Sequence, residues 1–167
     1  KKGVAVFRFT VNNSDVRTEE TENAIQSLLV KYPDADLWAS FPCTPWTTIQ
    51  RLNEAILDEE FKQRLDQMRH ESIVSLRRFF RYAKTCLMGG GNVHFEWPRW
   101  CTGWEVPELA EFFAEHGFEF AFPDGCNFGM DSKKPWKVAT TRMSLRNRLD
   151  ICRCDCPPGT HVPCLGG

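Results

Sequence analysis

Residues 53–88 contain neither glycine nor proline, and no other feature restricts the fold of this chain as strongly. Ile56, Phe61, Leu65, Met68, Ile73, Leu76, Phe79, Phe80, Ala83 and Leu87 recur near the helical period with some drift. The pattern predicts one long helix, or two joined near His70. Gly89-Gly90-Gly91 ends it, as glycines do at helix C-termini. The segment is flanked by two apolar runs, 36–41 and 92–97, each closed by proline. Strand, long helix, strand is the pattern of a right-handed crossover between parallel strands.

The rest of the chain repeats this alternation. Residues 4–9 alternate and are rich in β-branched and aromatic side chains, which predicts a first strand. Asn12-Asn13-Ser14-Asp15 is turn chemistry. Thr18 followed by Glu19 and Glu20 opens a helix whose apolar face carries Ala24, Leu28 and Leu29, and Pro33 stops it. A helix is expected over 106–116, strands over 118–122 and 136–141, and a short helix over 143–149. The expected fold is therefore α/β. Residues 1–150 form a Rossmann-like, mostly parallel sheet with an antiparallel C-terminal strand pair, and residues 151–167 form a Cys/His-rich tail too poor in apolar residues to build a core.

Charge excludes little beyond the general case. A net charge of -1 gives no global attraction to nucleic acid or an anionic membrane, which leaves local basic patches to do such work. No charged-then-apolar leader opens the sequence and no apolar run approaches membrane-spanning length, so an intracellular location with no membrane partner is expected. Cysteines in a reducing compartment bind metals, catalyse or pack more often than they form disulfides. The opening Lys1-Lys2-Gly3-Val4, one step before a strand, and the closing Gly166-Gly167 read as the ends of a piece of something longer. The apolar edge of the first strand is then expected to be covered by a missing N-terminal segment or a partner protein.

Two strand ends carry the chemistry. The first apolar run delivers Cys43 between Pro42 and Pro45, and these prolines hold the local backbone out of helix and sheet. The second delivers Glu96 between Phe95 and Trp97. In open α/β sheets, function gathers at the carboxyl ends of strands. The plainer readings are a buried cysteine and a carboxylate paired with Arg99. The functional readings are a presented nucleophile, whose thiol pKa the fold must lower, and a desolvated acid.

Phe41-Pro42-Cys43 with Pro45-Trp46 resembles the proline–cysteine motif of cytosine-C5 DNA methyltransferases. Phe95-Glu96, one helix later, is similar to that family's phenylalanine–glutamate–asparagine–valine motif, and Asp15-Val16 to its cofactor aspartate. Residues 125–141 resemble the following block, and the resemblance spans roughly residues 4–141. A nearer likeness is to methyltransferase-like segments of retroelement polyproteins, which combine Pro-Cys-Thr, Glu-Trp-Pro-Arg, Cys-x-Phe-Gly, Lys-Lys-Pro-Trp and a Cys/His tail. The resemblance implies that Cys43 attacks C6 of a flipped-out cytosine, that Glu96 engages the ring edge, that Asp15 approaches S-adenosylmethionine, and that the substrate is nucleic acid. The chain departs from the family in three places. No glycine occurs between Val4 and Met88 to form a cofactor loop, Trp97 stands in place of asparagine, and Lys133-Lys134-Pro135-Trp136-Lys137 replaces the usual basic block. The implied enzyme is incomplete or inactive alone, with a cofactor half supplied elsewhere.

Arg99, Lys134 and Lys137 are candidate substrate-binding residues, because cations beside Trp100, Trp104 and Trp136 suit phosphates and stacked bases. In the tail, Cys154, Cys156, His161 and Cys164 make a compact candidate zinc set, and Cys126 could substitute for one of them. Pro157-Pro158-Gly159 supplies the turn between ligand pairs. His70, His94 and His116 read as structural, although alternation puts His94 on the Glu96 side of its strand. Two functions remain open: methyl transfer to nucleic acid, and a non-catalytic nucleic-acid- or protein-binding module with a zinc-stapled tail. A cysteine hydrolase pairing Cys43 with His94 is the weaker third, since nothing marks an oxyanion hole.

Overall fold

The computed structural model describes residues 5–10, 12 and 14–163. Within them the chain is α/β, with five helices and one four-stranded mixed sheet. Helix α1 (Glu19–Lys31) begins where the Thr18 side chain accepts from the Thr21 amide. Strand β1 (Leu37–Ala39) leads through a 3-10 turn (Thr44–Trp46) to α2 (Ile49–Ile56) and α3 (Glu59–Met88). Then follow β2 (Val93–Pro98), α4 (Pro107–Glu115), β3 (Glu119–Ala121), β4 (Trp136–Thr140) and α5 (Met143–Asp150). No helix among the described residues is long and apolar enough to cross a membrane.

The sheet order is β1-β2-β4-β3. β1 and β2 are parallel, as the crossover pattern requires, while β4 runs antiparallel to both its neighbours. The sheet is thus less parallel in its pairings than expected: the single reversed strand sits between two that run together, so one strand makes two antiparallel pairs.

Three expectations need correction. Residues 5–9 form no strand; Phe7 stacks on Tyr32 at 5.6 Å and Phe9 packs against the core instead. Alternation there marks one buried and one exposed side, but a strand also needs a ladder partner, and β1 pairs only with β2 among the described residues. The long helical stretch is indeed two helices, but it breaks at Leu57-Asp58 and not near His70. Asp58 caps α3 by accepting from the Phe61 amide at 2.9 Å, with Glu59 and Glu60 in the first turn. The helical segment also begins earlier than expected, at Ile49.

The core lies between α3, α4 and one face of the sheet. Phe79 of α3 packs against Phe95 of β2 at 5.3 Å, and Phe113 of α4 meets the same ring at 5.7 Å. Trp97 and Trp104 complete this aromatic layer. Gly90 takes a left-handed φ of 90° after α3, and a Cβ on Gly91 would stand 2.1 Å from the Ala35 carbonyl oxygen. The glycine run therefore lets the end of α3 approach the loop that feeds β1, bringing β1 and β2 into register. Helix α5 packs on β3 and β4, where Arg146 donates to the Phe120 carbonyl.

Candidate active site and metal centre

Cys43 stands four residues past the end of β1, at the N-cap of the 3-10 turn. Trp46 donates its amide to the Cys43 carbonyl at 2.8 Å and its indole Nε1 to Ser72 of α3 at 2.8 Å. Gln50 of α2 donates to the Thr44 carbonyl, and Arg69 of α3 lies over the Trp46 ring while pairing with Glu54. From the β2 side, Trp97 donates its indole N–H to the Phe41 carbonyl at 2.8 Å, and Thr102 donates to the Trp46 carbonyl at 2.9 Å. A Cβ on Gly103 would come within 2.4 Å of the Trp97 ring and 3.0 Å of Trp46, so only glycine fits that crossing. The turn is therefore held from four elements, with Cys43 half-buried in it.

Glu96 lies on the face of β2 opposite the aromatic core. The register pairs Ala39 with Phe95, so Ser40 follows opposite Glu96, and its hydroxyl donates to Glu96 Oε2 at 2.6 Å. Burial pushes the Glu96 carboxyl up, against the opposing effects of the Ser40 hydrogen bond and the Lys134 charge. Burial also raises the Cys43 thiol; the negative charge of Glu96 pushes it further up and Lys134 pulls it down. Cys101, buried at the end of β2, is pushed up to about 12 by burial, with Cys43 and Glu96 adding to the effect. Glu96 and Lys134 thus both act on the Cys43 thiol, and Cys43 and Glu96 on Cys101, close to where the β1–β2 ladder ends at Phe95. Lys134 is the only described non-glycine residue at positive φ, 34°, in the loop before β4.

The other candidates lie elsewhere. Asp15 is held by Arg17 through its backbone amide and guanidinium, which lowers its carboxyl pKa, and Arg17 continues to Glu71 of α3. It lines an open cleft of about 400 Å³ with Ser14, Thr18 and Thr21. Arg99 donates to the Phe122 carbonyl at 2.6 Å, the Trp136 carbonyl and Asp124 Oδ1, which makes it a clamp across the β3–β4 connection. Lys137 pairs with Trp97 in the sheet, so it is on the opposite face from Glu96, with its ammonium over the Phe120 and Trp104 rings at 4.3 and 4.5 Å. Burial lowers its pKa. His94 is buried, with Nδ1 2.7 Å from the Thr140 hydroxyl and Nε2 3.7 Å from Asp36, so its ring is committed away from Cys43.

A second cluster forms where the tail meets the β3–β4 connection. Cys126, Cys154, Cys156 and His161 bring one ligand atom each to within 4.8 Å of one another, a group that could hold a metal ion. Cys126, the reserve ligand, joins three of the expected four, and the fourth, Cys164, lies outside the described residues. The connection carries Cys126 on a 3-10 turn (Gly125–Phe128). The tail is laid against it by Asp124, whose amide donates to the Cys152 carbonyl and whose Oδ2 accepts from the Cys154 amide, each at 2.8 Å. The sequence reading passed over Ser40 and Asp124. Both are common polar residues, and their roles depend on partners 56 residues away for Ser40 and 25 and 30 away for Asp124.

These features define an α/β domain with a half-buried thiol and a half-buried carboxylate near the end of the β1–β2 ladder and a separate Cys/His cluster. Compared with protein-family models, curated proteins and solved structures, the chain matches none of them.

Proposed function

We propose that this domain is the substrate-activating half of a cytosine-C5 methyltransferase-like protein acting on nucleic acid, with Cys43 as nucleophile and Glu96 as the partner of the base edge. The observation that carries the reading is that Glu96, held by Ser40 just past the β1–β2 ladder, and Lys134 both act on the Cys43 thiol in the turn after β1. Addition of the Cys43 sulfur to C6 of a flipped cytosine makes C5 electron-rich. A raised Glu96 pKa keeps a proton available for the ring edge as negative charge develops there. Lys134 favours the thiolate through its charge. S-adenosylmethionine does not fit the residues present: no glycine allows a close backbone approach between Val4 and Met88, and Asp15 is already engaged by Arg17. We assign the cofactor to a strand-and-loop unit added beside β1, whose second edge carries no strand among the described residues. Zinc is the metal we assign to the Cys/His cluster.

A cofactor-free assay tests this. Cysteine addition at C6 followed by deuteron uptake at C5 and elimination exchanges the C5 hydrogen of cytosine in heavy water, with no methyl donor. Exchange into a cytosine-containing oligonucleotide, abolished by Cys43→Ser and reduced by Glu96→Gln, supports the reading. A second reading, a non-catalytic nucleic-acid-binding module, is favoured by the raised Cys43 thiol, because a nucleophile needs the opposite shift. Oligonucleotide binding without exchange selects it; neither binding nor exchange overturns both.

A further inference from the structure

The geometry points to one zinc ion bound by Cys126, Cys154, Cys156 and His161, clamping the tail onto the β3–β4 connection and thereby fixing the backbone of the loop that carries Lys134. The inference stands independently of methyl transfer, since it concerns only the clamp and the loop it supports.

Three thiols and one imidazole are the donors tetrahedral zinc prefers, and three soft sulfurs disfavour magnesium or calcium. With Zn–S bonds of about 2.3 Å, tetrahedral ligand atoms stand roughly 3.5–3.8 Å apart. The Cys154 Sγ to His161 Nε2 separation is 3.7 Å, and all four atoms lie within 4.8 Å. The Asn127 side-chain nitrogen is 3.8 Å from Cys126 Sγ, the kind of outer contact that orients a metal-bound thiolate. Gly159, at φ 84°, and the Thr160 amide bond to the Pro157 carbonyl make the turn that brings His161 back. Val162 then donates to the Asp131 carbonyl on the connection. A tail of this composition has no apolar core to fix its course, so a metal supplies the free energy that packing does not.

The clamp reaches the Lys134 loop through the backbone. The Gly125 amide, next to Cys126, donates to the carbonyls of both Lys133 and Lys134, at 2.7 and 3.1 Å. That contact closes the loop in which Lys134 takes its positive φ. Asp124 links the same turn to Cys154 on one side and to Arg99, three residues past Glu96, on the other. Removing the metal frees the tail and the turn, and with them the ammonium of Lys134, whose charge favours the Cys43 thiolate.

The whole chain is used for the test. Zinc stoichiometry by native mass spectrometry is expected to be one per chain. Cobalt(II) substitution is expected to give tetrahedral bands with thiolate charge transfer. Cys126→Ser and Cys156→Ser should weaken zinc by roughly tenfold or more, whereas Cys164→Ser should leave it unchanged. Cys126→His, which keeps a ligand, should retain zinc and shift the cobalt spectrum, which separates ligand loss from misfolding. For the coupling, alkylation of Cys43 by iodoacetamide is followed by peptide mass spectrometry. Chelating the zinc should slow it by roughly two- to fivefold, the size of one partly screened charge. In Lys134→Ala the chelator should change nothing. Wild-type zinc affinity in Cys126→Ser, or loss in Cys164→Ser instead, overturns the site. An unchanged or faster Cys43 rate on chelation overturns the coupling.

Discussion

The Ser40 hydroxyl donates to Glu96 Oε2 at 2.6 Å, just past the only parallel strand pair among the described residues. This bond is the main local support for a carboxylate that burial otherwise disfavours. A carboxyl whose folded pKa exceeds its unfolded one binds more protons in the folded state between the two values. Its cost is therefore absent below the unfolded pKa and grows as pH rises through the folded one. Glu96→Gln keeps the shape, removes the charge and should raise the melting temperature at neutral pH. The gap over wild type should vanish in acid, below the unfolded carboxyl range. Thermal melts across pH check this, and a gap that is constant or widens in acid contradicts the assignment.

The same charge sets the reactivity of Cys43. Glu96 raises its thiol and Lys134 lowers it, with burial the largest cause. Wild-type alkylation by iodoacetamide should be slow at neutral pH. Glu96→Gln should speed it and Lys134→Ala should slow it, each by roughly two- to fivefold, since partly exposed charges are screened. The pH midpoint of the alkylation rate should move down in the first variant and up in the second.

Trp97 occupies the position where the cytosine methyltransferase resemblance expects asparagine, and its work here is structural. It is 1% exposed and donates to the Phe41 carbonyl that leads into the Cys43 turn. Trp97→Phe keeps most of the ring but leaves that carbonyl without its partner, at a cost of about 1–3 kcal/mol. Gly103→Ala drives a methyl into the same ring and should cost about 1–3 kcal/mol by overpacking. Urea denaturation of the two variants measures both effects. Trp97→Phe should also make Cys43 more accessible to alkylation.

How much of this was legible depended on how local the signal was. Cys43 was readable because prolines mark the turn after β1, and Glu96 because two-residue alternation marks its strand, although β2 runs two residues past it. The Thr18 cap is local as well, whereas Asp58 sits inside a glycine- and proline-free stretch whose periodicity pointed to a break near His70. Residues 5–9 misled because alternation says nothing about whether a partner strand exists. Helix α2 misleads in another way: Gln50 is buried on the Thr44 carbonyl while Ile49, Leu52 and Ile56 are more than half exposed. Binary patterning would turn that helix around, whereas the observed orientation lets Gln50 satisfy the Thr44 carbonyl of the Cys43 turn. Cys126 was visible as a reserve ligand, but its place in the cluster depends on where the β3–β4 connection meets the tail.

Asp124 offers the sharpest stability test, because it joins three segments and is 3% exposed. Its carboxylate receives Arg99 at 3.2 Å through Oδ1 and the Cys154 amide at 2.8 Å through Oδ2. Arg99 is itself mostly buried, with its side chain 18% exposed. Removing one partner of such a pair leaves the other charge uncompensated, which costs about 3–5 kcal/mol. Asp124→Ala is therefore expected to lose that much in denaturant unfolding and to loosen the tail, seen as faster amide exchange at Cys154. Asp124→Asn keeps one acceptor oxygen and the volume, so it should fall between the two. Arg99→Met is informative in the opposite direction. It leaves the Phe122 and Trp136 carbonyls and the Asp124 carboxylate without their donor, so it should be as damaging as Asp124→Ala, while the double variant should cost less than the sum. A strictly additive double-mutant cycle would mean that Arg99 and Asp124 act separately, and that the clamp between β2 and the tail does not exist.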